Sequence, residues 1–244
     1  MTAGDTMISI KGLTKDFGPL CAVDNISFDV KKGEVLGFLG PNGAGKSTTM
    51  KMVTGYLPIT AGHASVCGLD VEIHPIETKS KIGYLPEGAP LYGDMTATGF
   101  LNFIAEIRGF SGDQKIKHVN HAIEKLQLET VMNRPIDTLS KGFKRRVGFA
   151  QAILHDPEVL ILDEPTDGLD PNQKHQVREL IKEMSAEKAI IISTHILEEV
   201  EAVCTRAVII AEGKIVFDGT PTELRAQSPN DHIDEVFRKL TLAS

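Results

Sequence analysis

Eight consecutive residues, Gly40-Pro41-Asn42-Gly43-Ala44-Gly45-Lys46-Ser47, constrain this chain more than any other feature of it. They follow the short apolar run Val35, Leu36, Phe38 and Leu39 and precede a helical stretch running from about Gly45 to near Gly55. Strand, loop, helix is the context that separates a phosphate loop of the form G-x-x-x-x-G-K-S from a chance glycine-rich turn. In such a loop the glycines let backbone N–H groups converge on phosphate oxygens, and the helix N-terminus adds partial positive charge. Lys46 is then placed to reach the β and γ phosphates and the Ser47 hydroxyl to ligate Mg²⁺, so the segment predicts a site for ATP with Mg²⁺.

A second segment supplies the acids such a site needs. Val159-Leu160-Ile161-Leu162 reads as a buried strand, and it ends in Asp163-Glu164. A carboxylate at a strand tip suits Mg²⁺ and a second one suits the polarisation of water, which assigns Asp163 to the metal and Glu164 to the base.

Around these motifs the pattern changes twice. Ile26, Phe28 and Val30 alternate with Ser27, Asp29 and Lys31, the period of a strand with one buried face, so an antiparallel β layer is expected to open the fold. From Tyr92 to about Asp156 the period is helical, with Ile116, Val119, Ile123 and Leu126 on one stripe and Phe143, Val147, Ala150 and Leu154 on another. Strands return at 159–162, 189–193 and 206–210, separated by helical stretches around 173–184 and 196–203, which predicts a parallel sheet with crossover helices. Glu212-Gly213 lies between two β-rich runs as a hairpin turn, and Asp234 to Leu240 reads as a short amphipathic helix.

Composition removes several classes of function. The chain has 244 residues with 41% hydrophobic and 24% charged side chains, enough for one folded unit with a core. A formal charge of −7 argues against a nucleic-acid partner. Apolar runs stop far short of the roughly 20 residues that cross a bilayer, and Met1 to Lys11 lacks the basic-then-apolar pattern of an export signal. Cys21, Cys67 and Cys204 are scattered, which reads as buried thiols in a reducing cytoplasm. His63, His74, His118, His121, His155, His175 and His232 show no ligand spacing and are assigned no metal role.

With Leu139-Ser140-Lys141-Gly142-Phe143 between them, the two nucleotide motifs resemble the ATP-binding cassette (ABC) family of ATPases. Gly168-Leu169-Asp170 is similar to the family's D-loop and Ser193-Thr194-His195 to its histidine switch. The resemblance covers nearly the whole chain and implies an α/β fold: a P-loop NTPase core with a parallel sheet and crossover helices, an N-terminal antiparallel β layer and an inserted helical lobe. In that reading residues 1–244 form a single domain, 1–90 and 157–244 being core and β layer and 91–156 the helical lobe with the signature segment.

The family's roles carry over position by position. Nucleotide contacts fall on Gly40 to Ser47 and on Thr48, and His195 falls on the γ phosphate and attacking water. Phe17 stands where the family stacks an aromatic on adenine, although a packed strand residue fits that position equally well. Glu87 stands where the family usually has a glutamine at Mg²⁺ and at the transmembrane partner, and Lys141 and Phe143 also depart from the common signature. Ser140 and Gly142 are kept, so the helix start should survive; with Asp170 they imply contact with nucleotide held by a second, head-to-tail cassette. Lys144, Arg145 and Arg146 are expected to form a solvated basic helix face.

Three functions compete. A phosphate-loop switch or kinase leaves the signature segment unexplained. A soluble cassette acting on nucleic acid or ribosomes would need a coiled-coil insertion or a second cassette. The remaining reading is an ATP-hydrolysing subunit of a membrane transporter, peripheral at the cytoplasmic face of the inner or plasma membrane and touching it only through separate transmembrane subunits. Tyr84-Leu85-Pro86-Glu87, the Leu-Ser-Lys-Gly signature and the ending Asp234 to Leu240 are together similar to those of bacterial exporter ATPases of the drug-export and gliding-motility type.

Overall fold

A computed structural model describes residues 6–88, 90–228 and 233–242. Strands β1 (Thr6–Phe17) and β2 (Leu20–Lys31) form a long antiparallel hairpin, followed by β3 (Val35–Leu39), helix α1 (Lys46–Val53), β4 (Ala61–Val66) and β5 (Leu69–Asp70). Helix α2 (Pro75–Lys81) leads into β6 (Ile82–Leu85). Helices α3 (Ala97–Ile107), α4 (Gly112–Lys125) and α5 (Lys141–Ile153), with two 3₁₀ turns at 129–131 and 136–138, intervene before β7 (Val159–Asp163). Then come α6 (Pro171–Ser185), β8 (Ala189–Thr194), α7 (Leu197–Val203), β9 (Arg206–Ala211), β10 (Lys214–Gly219), α8 (Pro221–Arg225) and α9 (Ile233–Leu242).

The strands make two sheets. One is antiparallel, in the order β2-β1-β4-β5; the other runs β10-β9-β3-β8-β7-β6, parallel throughout except for β10 on β9. Every residue of β3, β7 and β8 is buried, as a parallel strand covered on both faces requires. Alternation divides those strands between two cores. Leu36, Phe38, Ile161 and Ile191 pack against Ile8, Ile10 and Phe28 of the β layer, while Val35, Leu160, Leu162, Ile190 and Ile192 pack towards α3, α4 and α5. Both faces of the sheet are therefore spoken for, and its loops at the C-terminal strand ends are left to hold the functional residues.

The structure corrects four expectations. Ile116 is 55% exposed, because the buried residues of α4 begin at its third turn with Val119 and Ala122; near its start Phe110 stacks on His118, 4.0 Å away. Cys21 is exposed, lying at the start of β2 beside the hairpin tip; Cys67 and Cys204 are half-buried, and burial pushes their thiols up to about 11 and about 12. The segment from Tyr92 is not helical until Ala97, where the Thr96 side chain accepts from the Gly99 N–H. The basic face on α5 is not solvated: Arg145 and Arg146 are each only 7% exposed, and Lys144 is half-buried near Asp137.

Candidate nucleotide site

The phosphate loop leaves the end of β3 and turns into α1 where the hairpin of the β layer presses on it. A side chain at Gly45, where φ is 107°, would put its Cβ 2.5 Å from the Ala22 carbonyl, and one at Gly40 would put it 2.3 Å from that of Ile210. Only glycine fits both positions. Lys46 is buried, and its ammonium donates to the carbonyls of Gly40 (2.6 Å) and Pro41 (3.1 Å). Burial lowers its pKa, against the opposing pull of Glu164, Asp163 and Glu87. Pro41, Asn42 and Gly43 are exposed, Ala44 is buried, and Thr48 is half-buried in the first turn of α1. That helix has neither a side-chain cap nor an acid in its first turn, which leaves its N-terminus to an incoming anion.

Opposite the loop, Ser47 Oγ donates to Asp163 Oδ2 at 3.0 Å. Ser47, Glu87 and Asp163 line one cavity of about 310 Å³, together with Lys51, Tyr84, Pro86 and Gly88. The buried Tyr84 and Ser193 hydroxyls have no hydrogen-bond partner among the described residues. A phosphate chain with a hard divalent cation fits this donor set: uncapped N–H groups and a lysine on one side, a hydroxyl and carboxylates on the other.

Glu164 follows at the tip of β7 with φ of 52°, a left-handed conformation held by its N–H donating to the Ser193 carbonyl at 2.8 Å. This turn carries the carboxylate to His195, whose Nδ1 lies 2.7 Å from Glu164 Oε1. Behind them the buried Glu199 carboxylate accepts from the hydroxyls of Thr166 and Thr194 (3.0 Å for Thr194), so one acid ties the loop after β7 to the end of β8. Sequence reading missed this carboxylate because nothing in Leu197 to Val203 distinguishes it from its exposed neighbour Glu198.

Phe17 stands 46% exposed at the end of β1 with the Lys15 ammonium 5.2 Å from its ring centre. Its hairpin abuts the phosphate loop through Ala22 and Val23. Ser140, Gly142 and Asp170 form a separate group. Ser140 caps α5 by accepting from the Phe143 N–H at 3.3 Å, and Asp170 caps α6 by accepting from the Gln173 N–H at 2.9 Å. A Cβ on Gly142 would meet the Gln173 side chain at 2.8 Å. The cost of a cation in the first turn of α5 is met within the chain: Lys141 pairs with Asp167 at 2.9 Å and lies along Gly168.

A loop of this geometry on a parallel sheet, with an acidic strand tip beside it, defines a nucleotide-binding protein of the P-loop class. The family model described as ABC transporter matches residues 23–167, and the chain belongs to that family. It is 39% identical over 232 residues to the probable multidrug ABC transporter ATP-binding protein YbhF of Escherichia coli, an alignment covering 94% of this chain and 40% of YbhF. It is 36% identical over 228 residues to the linearmycin resistance ATP-binding protein LnrL of Bacillus subtilis, covering 93% of this chain and 73% of LnrL. A solved ATP-binding subunit of an ABC transporter superposes with a TM-score of 0.88 at 30% identity, covering 96% of this chain and 99% of its own.

Proposed function

We propose that this chain hydrolyses ATP to power a membrane transporter of the exporter type, working as a head-to-tail pair of cassettes. The observation that carries the reading is the convergence of three pairs at one end of the parallel sheet: Lys46 on its loop, Ser47 on Asp163, and Glu164 on His195. The names of YbhF and LnrL, which refer to a multidrug transporter and to linearmycin resistance, support export.

In this mechanism the loop N–H groups and Lys46 hold the phosphate chain, and Ser47, Asp163 and Glu87 are the residues that would hold Mg²⁺. When bound, the cation neutralises charge that develops on the phosphate oxygens. Glu164 takes a proton from the attacking water, and His195, fixed through Nδ1, orients that carboxylate and keeps Nε2 for the γ phosphate. Phe17 stacks on the base. Ser140, Gly142 and Asp170 meet nucleotide held by the second cassette, with 91–156 acting as the helical lobe that delivers them.

Among the described residues no helix is long and apolar enough to cross a membrane; in this reading the chain couples to transmembrane subunits. The surface for them is a groove of about 860 Å³ between α2 and α3, lined by Tyr56, Ile76, Ile107, Arg108 and Glu87 among others. Tyr56 is 73% exposed and Ile76 81%, an apolar surface that docking would cover.

The test is ATPase activity of the purified chain with Lys46→Ala and Glu164→Gln. Loss of nucleotide affinity in the first and of turnover alone in the second supports the assignment. A Glu164→Gln chain that hydrolyses ATP at the parental rate would sink it.

A further inference from the structure

Arg145 lies in the second turn of α5, 7% exposed, and its guanidinium reaches backbone carbonyls on two separate segments. Nη1 donates to the Pro86 carbonyl at 2.7 Å; Nη2 donates to the carbonyls of Asp163 and Glu164, the latter at 2.8 Å. Those carbonyls belong to the turn that carries Glu87 and to the strand tip that carries Asp163 and Glu164. One side chain of the helical segment therefore pins together the two walls of the cavity shared by Ser47, Glu87 and Asp163.

Its charge matters as much as its reach. Burial lowers the Arg145 pKa, and the carboxylates of Asp163, Asp167, Glu164 and Glu87 act in the opposite direction. A buried cation behind an acidic wall weakens the pull of that wall on any second cation. The carboxylate at Glu87 strengthens the same pull by one charge that an amide would not supply. The two residues thus act with opposite sign on one place.

We propose that Arg145 is a positioning residue and fixed counter-charge of the metal side of the site, offsetting Glu87 and clamping the Pro86-Glu87 turn to the Asp163-Glu164 strand tip. The inference rests on the reading of Ser47, Glu87 and Asp163 as the Mg²⁺ ligands, and it adds a cation from another element that sets how tightly they bind it. Since among the described residues the guanidinium donates to these backbone carbonyls, it acts through the residues it holds.

The experiment titrates Mg²⁺ into the purified chain with a fluorescent, non-hydrolysable ATP analogue and reads the half-saturating Mg²⁺ concentration for analogue binding, a quantity independent of turnover. Glu87→Gln is expected to raise that concentration at least about threefold and Arg145→Gln to lower it by a similar factor, since a unit charge a few ångströms from a divalent cation shifts binding several-fold even when well screened. The double variant is expected to return to within about twofold of the parent. Arg145→Lys keeps the charge but cannot bridge three carbonyls, so it is expected to leave the Mg²⁺ half-point unchanged while ATPase turnover falls about tenfold. It also supplies the answer if Arg145→Gln does not fold. An Arg145→Gln half-point equal to or above the parent's, or an Arg145→Lys half-point as low as that of Arg145→Gln, overturns the counter-charge. Unchanged turnover in Arg145→Lys overturns the clamp. A parent chain that binds the analogue equally with and without Mg²⁺ would instead overturn the metal reading from which this inference starts.

Discussion

At the scale of single residues the site is built from side chains whose partners are already in place. Glu164 reaches His195 only because its own backbone takes a left-handed turn, an arrangement that costs on the order of 1 kcal/mol and persists through the hydrogen bond to Ser193. If Glu164 is the base, Glu164→Gln should retain ATP affinity and lose about 10² or more in turnover, measured by phosphate release under saturating ATP. A different kind of residue effect is written into His155, far from the nucleotide. Burial, then the charge of Arg108, lowers its pKa to about 4, while its Nε2 bonds the Ile82 carbonyl at 3.1 Å. A histidine whose folded pKa lies below the unfolded value of about 6.5 takes up protons more readily when unfolded. Stability is therefore complete above pH 6.5 and falls as the pH drops from 6.5 towards 4, by up to about 3 kcal/mol from this group. Denaturant midpoints measured across that window should fall less steeply for His155→Gln, which keeps a donor for Ile82. The sequence marks Lys46, Ser47, Asp163 and Glu164 because the roles proposed for them are bound to local spacing. Arg145 was not legible, since a basic run on a helix looks solvated until the strand tip and the Pro86 turn are seen to close over it.

At the scale of elements, helix α5 carries the signature segment, and its start depends on Ser140. The side chain caps the first turn, so Ser140→Ala should lower unfolding free energy by about 1 kcal/mol in a denaturant titration. Lys141 differs: its pairing with Asp167 is between exposed groups, and Lys141→Ala should change stability by less than about 1 kcal/mol. Equal losses from both substitutions would show that the ion pair holds this turn as strongly as the cap does. The elements themselves were legible where one period persisted, as in β2 with Ile26, Phe28 and Val30 all turned inward. They were less legible at ends. The helical reading from Tyr92 overshot to the turn before Thr96, and Ile116 keeps helical spacing with Val119 while standing 55% exposed.

At the scale of the whole molecule, the parallel sheet buries both its faces and leaves two surfaces for the proposed function, the nucleotide loops and the groove beside them. Glu87 and Tyr84 line the groove and also the cavity with Ser47 and Asp163, so one short turn borders both. A partner seated in the groove would press on the turn that Arg145 clamps, which gives a physical route from docking to hydrolysis. The groove itself was legible only as a junction between a helical segment and a core; its apolar lining comes from Tyr56, Ile76 and Ile107, which are distant in sequence and belong to no shared periodic face. Docking there makes a prediction with an internal control. Ile76 and Ile73 lie three residues apart and are 81% and 72% exposed, but only Ile76 lines the groove. In co-sedimentation with membranes from a cell that makes the transporter, Ile76→Asp should reduce bound chain at least about tenfold, the loss expected when a charge replaces an apolar anchor worth roughly 1.4 kcal/mol or more. Ile73→Asp should bind as the parent does. Both changes sit on the surface and should leave the unfolding transition within about 0.5 kcal/mol of the parent. Equal retention of the two variants would move the docking surface away from this groove, whereas loss in both would place it across the wider face around α2.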